Sequence, residues 1–100
     1  MGSGRWHALS LAGQLGNIGS EVHRVHLAAH KNTERCERAF VRALELFDLT
    51  IADLRWRGRL REITRAREIF CDALAEGKEY GSTFPQLEKY FDQFALLARK

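Results

Sequence analysis

One hundred residues, 45% apolar and 29% charged, make one domain with a single core, because the charges come with regular hydrophobic spacing and chains of this size do not usually divide. Eight glycines and one proline leave little room for the turns of a sheet, no apolar run approaches the ~20 residues of a membrane helix, and no apolar stretch with a cleavage site marks a secretion signal. Sixteen basic residues against thirteen acidic give a net charge of +3; twelve of the sixteen are arginine, and six of those twelve lie between Arg55 and Arg67.

Residues 1–7 read as a flexible N-terminal lead and residues 8–100 as the domain. Leu11, Leu15, Ile18, Val22, Val25 and Ala29 then step four and three apart, which predicts a first helix over 8–30. Gly13, Gly16 and Gly19 lie inside it, each costing about 1 kcal/mol against alanine in a helix interior. The helix is expected to run unbroken, with Ala12, Gly16 and Gly19 as a smooth strip for the close approach of another backbone.

Asn32 or Thr33 caps a second helix over 33–54, with Glu34 in its positively polarised first turn. Phe40, Ala43, Leu44, Phe47, Ile51 and Leu54 share one of its faces, while Leu46 and Leu49 fall near the opposite side. Such a helix needs cover on two sides, and Leu46 and Leu49 are read as a self-association face that makes the protein a homo-oligomer. A third helix over 58–76 carries Leu60, Ile63, Phe70 and Leu74, with Arg67 in the same seam, where it either snorkels to the edge or finds a carboxylate. Ser82 or Thr83 caps the fourth, over 84–98, with Phe84, Leu87, Phe91, Phe94 and Ala98 on one stripe. Four amphipathic helices with brief connections predict an all-α chain folded as an antiparallel four-helix bundle. A turn centred near Leu54 would set Cys36 against Cys71 and Phe47 against Leu60. Both cysteines lie among apolar neighbours and are read as packed thiols, reduced in a cytoplasmic protein.

The sharpest chemical signal is the run Arg55, Arg57, Arg59, Arg61 and Arg65, with Trp56 among them. Helix starts favour Asp or Glu, so cations crowded at the start of the third helix suggest an anion, with phosphate the usual candidate and Trp56 available to stack on a base. The competing reading is a solvated basic turn paired to Asp53, Glu62 or Glu68. His23, His26 and His30 share a helix stripe but lack a neighbouring carboxylate or cysteine, so no metal and no cofactor are expected. The spacing of Arg24 and His30 is similar to the Arg–His pair of the helical HEPN ribonucleases. Here the pair sits at the end of the first long helix, with no polar partner in a recognisable arrangement.

The wording of the chain resembles a family of small bacterial proteins of about this length, through GNIGSEVHR at Gly16 to Arg24, AFVRALELFDLTIAD at Ala39 to Asp53, RGRLRE at Arg57 to Glu62, EYGST at Glu79 to Thr83 and KYFDQFALLAR at Lys89 to Arg99. That resemblance implies a natural stand-alone domain and brings no catalytic residues to transfer. Size and helical content are similar to those of the basic, self-associating four-helix accessory proteins of diversity-generating retroelements, which bind a reverse transcriptase and nucleic acid; no motif is shared. The expected function is a non-enzymatic, self-associating binding module that holds RNA, DNA or a nucleic-acid enzyme through Arg55, Trp56, Arg57, Arg59, Arg61 and Arg65, with no membrane partner. The alternatives are a structural or protein-interaction module, and a HEPN-like ribonuclease built on Arg24 and His30.

Overall fold

The segments with apolar residues at three and four spacing are all helical in the computed structural model, which describes residues 6–29, 31–75 and 83–98 and side chains as far as Phe94. They are α1 (Leu11–Ala28), α2 (Thr33–Ala52), α3 (Leu60–Leu74) and α4 (Phe84–Ala98), with a 3-10 segment, Leu54–Arg59, joining α2 to α3. No strand occurs among the described residues, and no helix is long and apolar enough to cross a membrane.

Polar side chains set the helix starts by accepting N–H groups that the first turn leaves unpaired. Ser10 Oγ takes the Gly13 N–H at 3.1 Å, so α1 begins three residues later than its periodicity suggests. Asn32 Oδ1 takes the Arg35 N–H at 3.0 Å and opens α2. At α4, Thr83 Oγ1 accepts from the Gln86 N–H at 3.4 Å while Gln86 Oε1 accepts from the Thr83 N–H at 3.3 Å, a reciprocal capping box. α2 stops at Ala52 because Asp53 leaves helical geometry (φ −75°, ψ 113°) and turns its carboxylate onto the Arg55 N–H to start the 3-10 segment.

α1 is unbroken through its glycines, and Leu15, Ile18, Val22 and Val25 along its seam are buried. Gly19 shows what the small residues are for: a Cβ there would lie 2.6 Å from the Cβ of Phe91 on α4. His26 of α1 stacks on Phe84 of α4 with ring centroids 5.0 Å apart. Mid-helix residues of α1 and α4 thus meet at Gly19 and Phe91, and the last turn of α1 meets the start of α4 at His26 and Phe84.

α2 has the two-sided cover its pattern demands, and its own chain supplies both sides. Thr50 meets Trp6 beside α1, and Phe40 and Phe47 place their rings 5.2 and 5.9 Å from Phe70 of α3. Phe47 also meets Phe91 edge-on at 5.9 Å, which makes it the point where three helices converge. Burying a ring so completely is worth about 1.5–3 kcal/mol.

The buried stripe of α2 is rotated from the expected one, being Ala39, Ala43, Leu46, Phe47 and Thr50. Leu46 is only 3% exposed and Leu49 packs half-buried against the core, whereas Leu54 is 78% exposed. Leu46 is thus enclosed by the protomer, and the reason for placing a self-association face on Leu46 and Leu49 is removed.

Arg67 does find a carboxylate: its Nε–H donates to Asp48 Oδ1 of α2 at 3.2 Å. The pairs Phe40–Phe70 and Asp48–Arg67 lie three or more residues farther along α3 than a turn centred at Leu54 would give, because the six-residue 3-10 segment lengthens the connection.

Candidate anion interface

Asp53 organises the approach to the arginine cluster. It sits where α2 ends, 7% exposed, and a carboxylate held away from water needs donors on both oxygens. Arg55 supplies most of them, with Nε–H donating to Oδ1 and Oδ2 at 3.1 Å each and Nη2–H to Oδ2 at 2.6 Å. The amide nitrogen of Gln14 adds a further donor at 3.3 Å. These hydrogen bonds, those from Arg55 first, hold the Asp53 carboxyl well below the usual carboxylate range and raise the Arg55 guanidinium above its own.

The same network extends to two indoles. Trp56 Nε1–H donates to Gln14 Oε1 at 2.9 Å, and Arg55 lies over the Trp56 ring at 4.5 Å. Gln14 Nε2–H also donates to the Trp6 carbonyl at 3.1 Å, and Trp6 Nε1–H donates to Thr50 Oγ1 at 3.2 Å. Trp6 is 1% exposed and Gln14 is fully buried. The expected lead over 1–7 therefore overlaps the core: from Trp6 onward the chain plugs the end of α1 and α2. A second donor from Arg55, Nη2–H to the Leu9 carbonyl at 3.0 Å, fastens that plug from outside. No buried side-chain nitrogen or oxygen among the described residues lacks a partner.

Sequence reasoning missed both Trp6 and Gln14. One signal was present: Gln14 is a polar residue one position before Leu15, inside an otherwise apolar seam.

The remaining arginines divide. Arg59 grips Glu62 with two donors, Nε–H to Oε2 at 2.9 Å and Nη2–H to Oε1 at 3.2 Å, and Tyr90 O–H donates to Glu62 Oε1 at 2.8 Å from α4. Arg59 and then Tyr90 lower the Glu62 pKa, while burial first and Glu62 second raise that of Tyr90. Arg57 and Arg61 are exposed and have no ion pair among the described residues. Arg61 and Arg65 share one open depression of about 400 Å³ with Leu60, Thr64 and Glu68. Of the expected site, Arg55, Trp56 and Arg59 are engaged within the chain, Arg57 and Arg61 have no ion pair among the described residues, and Arg65 is exposed on α3.

His23 and His26 each bring Nδ1 to Glu88 Oε1 of α4, at 2.9 and 3.1 Å, where they tie α1 to α4. Among the described residues no group of histidine, cysteine, aspartate and glutamate could hold a metal ion. His30, and with it half of the Arg24–His30 pair, lies outside the described residues; Arg24 pairs with Glu21. Both cysteines are free thiols, half-buried: the Cys36 S–H donates to the Val25 carbonyl at 3.9 Å, and burial pushes the Cys71 thiol up.

Set against known proteins, the chain matches no family model, no curated protein and no solved structure, so its resemblances stand as expectations.

Proposed function

We propose that this protein is a non-enzymatic helical binding module for RNA or DNA, on the frame of an antiparallel four-helix bundle. Support for the frame comes from the end-to-end pairing of neighbours, Gly19 with Phe91 and His26 with Phe84, Phe40 with Phe70 and Asp48 with Arg67. The observation that carries the binding reading is the exposure of Arg57 and Arg61, without ion pairs among the described residues, on the 3-10 turn and the first turn of α3, next to a junction anchored by Asp53, Arg55 and Trp56. Backbone next to an anchored junction presents charge at little ordering cost on binding. Arg55 and Trp56 then act as supports for the surface, not as contacts with it.

A second reading, a protein-interaction module with no nucleic-acid role, is favoured by the Asp53–Arg55 and Arg59–Glu62 pairs, which withdraw two of the five expected cations from any ligand. Fluorescence anisotropy of a single-stranded oligonucleotide across a salt series separates the two. Binding through phosphates gives log K falling linearly with log salt, and Arg57→Gln with Arg61→Gln is expected to flatten the slope by about 1.4, at ~0.7 per lost single-strand phosphate contact. No binding at about 50 mM salt, or an unchanged slope in the double variant, would refute the nucleic-acid reading.

A further inference from the structure

A second surface feature lies at the far end of α2 from the arginine turn. It is an open groove of about 730 Å³ between the last turns of α1 and the first turns of α2. Its floor is apolar and small, formed by Leu27, Ala28 and Ala39, with Leu27 56% exposed. Cations stand around that floor: Arg24 and Lys31 from the α1 side, and Arg35, Arg38 and Arg42 from α2. The three on α2 are spaced three and four residues apart, so they form one row about 10 Å long at 1.5 Å per residue.

Glu21 is the one carboxylate among the described residues lining the groove, and it is already paired with Arg24. Arg42 reaches Glu45 at 3.8 Å. Lys31, Arg35 and Arg38 have no ion pair among the described residues. Arg35 also stands in the first turn of α2, where the helix's own N–H groups already present positive charge, beside the stabilising carboxylate of Glu34. Three cations without ion pairs among the described residues thus stand around an apolar floor with an exposed leucine.

We infer that this groove seats an acidic amphipathic helix of a partner protein. The charge calls for an anionic partner and the floor calls for an apolar one, and a helix with leucine-type side chains at three and four spacing flanked by glutamate or aspartate meets both demands at once. A phosphate chain meets only the first. Non-specific single-strand binding relies on aromatic platforms for the bases, and among the described residues no aromatic side chain lines this groove. Small residues at 28 and 39 let a helix lie close to the two beneath it, with carboxylates reaching Arg35 and Arg38 on one side and Lys31 on the other. This site is separate from the arginine turn and does not rest on the nucleic-acid reading.

The test uses isotope-labelled full-length protein and three probes: a synthetic amphipathic peptide with leucine at three and four spacing and glutamate on both flanks, the same peptide with glutamine for every glutamate, and an oligothymidylate. The acidic peptide is expected to shift backbone amide resonances at Leu27, Ala28, Arg35, Arg38 and Ala39, and to bind at least tenfold more tightly than its glutamine counterpart. Arg35→Gln with Arg38→Gln should erase that preference, and Arg57→Gln with Arg61→Gln should leave it intact; circular dichroism of both variants controls for folding. Equal binding of the two peptides, peptide-induced shifts confined to other surfaces, or groove amides that respond to the oligothymidylate and not to the peptide would each overturn the assignment.

Discussion

Gly19 of α1 and Phe91 of α4 share one point of contact so closely that a Cβ on the glycine would lie 2.6 Å from the Cβ of the phenylalanine. Phe91 is 1% exposed and closed in by Phe47 and Tyr90, so it has nowhere to retreat. Gly19→Ala is expected to destabilise by about 1–3 kcal/mol through overpacking, although alanine is worth about 1 kcal/mol more than glycine in a helix. Gly13 provides the control. Its Cβ would meet Leu9 and Ser10 at 3.4 Å, so Gly13→Ala should leave stability unchanged or raise it in urea unfolding.

Trp6 and Gln14 should prove structural. Trp6→Ala empties a fully enclosed indole site, a change that costs about 3–5 kcal/mol in a core. Gln14→Leu keeps the volume but strips the Trp56 N–H, the Trp6 carbonyl and Asp53 of a shared partner, at about 1–3 kcal/mol. Thermal unfolding followed by circular dichroism reads both. If removal of residues 1–7 left the melting temperature unchanged, the plug would carry no energy.

The ionisable pairs fix where stability depends on pH. Asp53 and Glu62 have folded pKa values lowered chiefly by Arg55 and Arg59, so the stability they add is present above their unfolded values, about 3.9 and 4.3, and is lost as pH falls through the folded ones. Tyr90 has the opposite sign. Its raised folded pKa leaves stability intact below about pH 10, its unfolded value, and reduces it as pH climbs from there toward the folded one. These three groups therefore predict a flat plateau at neutral pH with acid and alkaline shoulders. Asp53→Asn should remove part of the acid shoulder, and Tyr90→Phe part of the alkaline one, in unfolding curves taken across the pH range.

Leu46 and Leu54 exchange the roles that periodicity suggests. Leu46→Glu would bury an unpaired carboxylate among apolar side chains and is expected to unfold the protomer, not to release it from an assembly. Leu54→Glu, on a side chain that is 78% exposed, should change stability by less than about 0.5 kcal/mol. Light scattering combined with circular dichroism distinguishes loss of fold from loss of mass.

The thiols make a last check. Burial raises the Cys71 pKa, so its reactive thiolate is scarcer than that of an ordinary cysteine at neutral pH. Native Cys71 should be alkylated several-fold more slowly than the same thiol in unfolded protein, as followed by mass spectrometry. Equal rates would mean that the α3 surface around it is open.

Apolar spacing alone determined the four helices and their order, and it located α4 at Phe84–Ala98 to the residue, because periodicity and capping act between residues close in the chain. It left Arg67 either to snorkel to the edge or to find a carboxylate, and the fold chose the second by bringing Asp48 beside it. Tertiary structure decided which stripe of α2 faces inward: Thr50 is buried and Leu54 is not, because Trp6 offers the first a hydrogen bond and the 3-10 turn carries the second past the end of the core. It also decided which arginines are committed. Arg55 and Arg57 look alike in the sequence, yet only Arg55 stands beside a carboxylate that the end of α2 holds out of water. The groove at the other end belongs wholly to the fold, because Arg24 and Lys31 meet Arg35, Arg38 and Arg42 only after the chain has turned back on itself. Charge that local sequence leaves dispersed becomes a surface when two helices pack side by side.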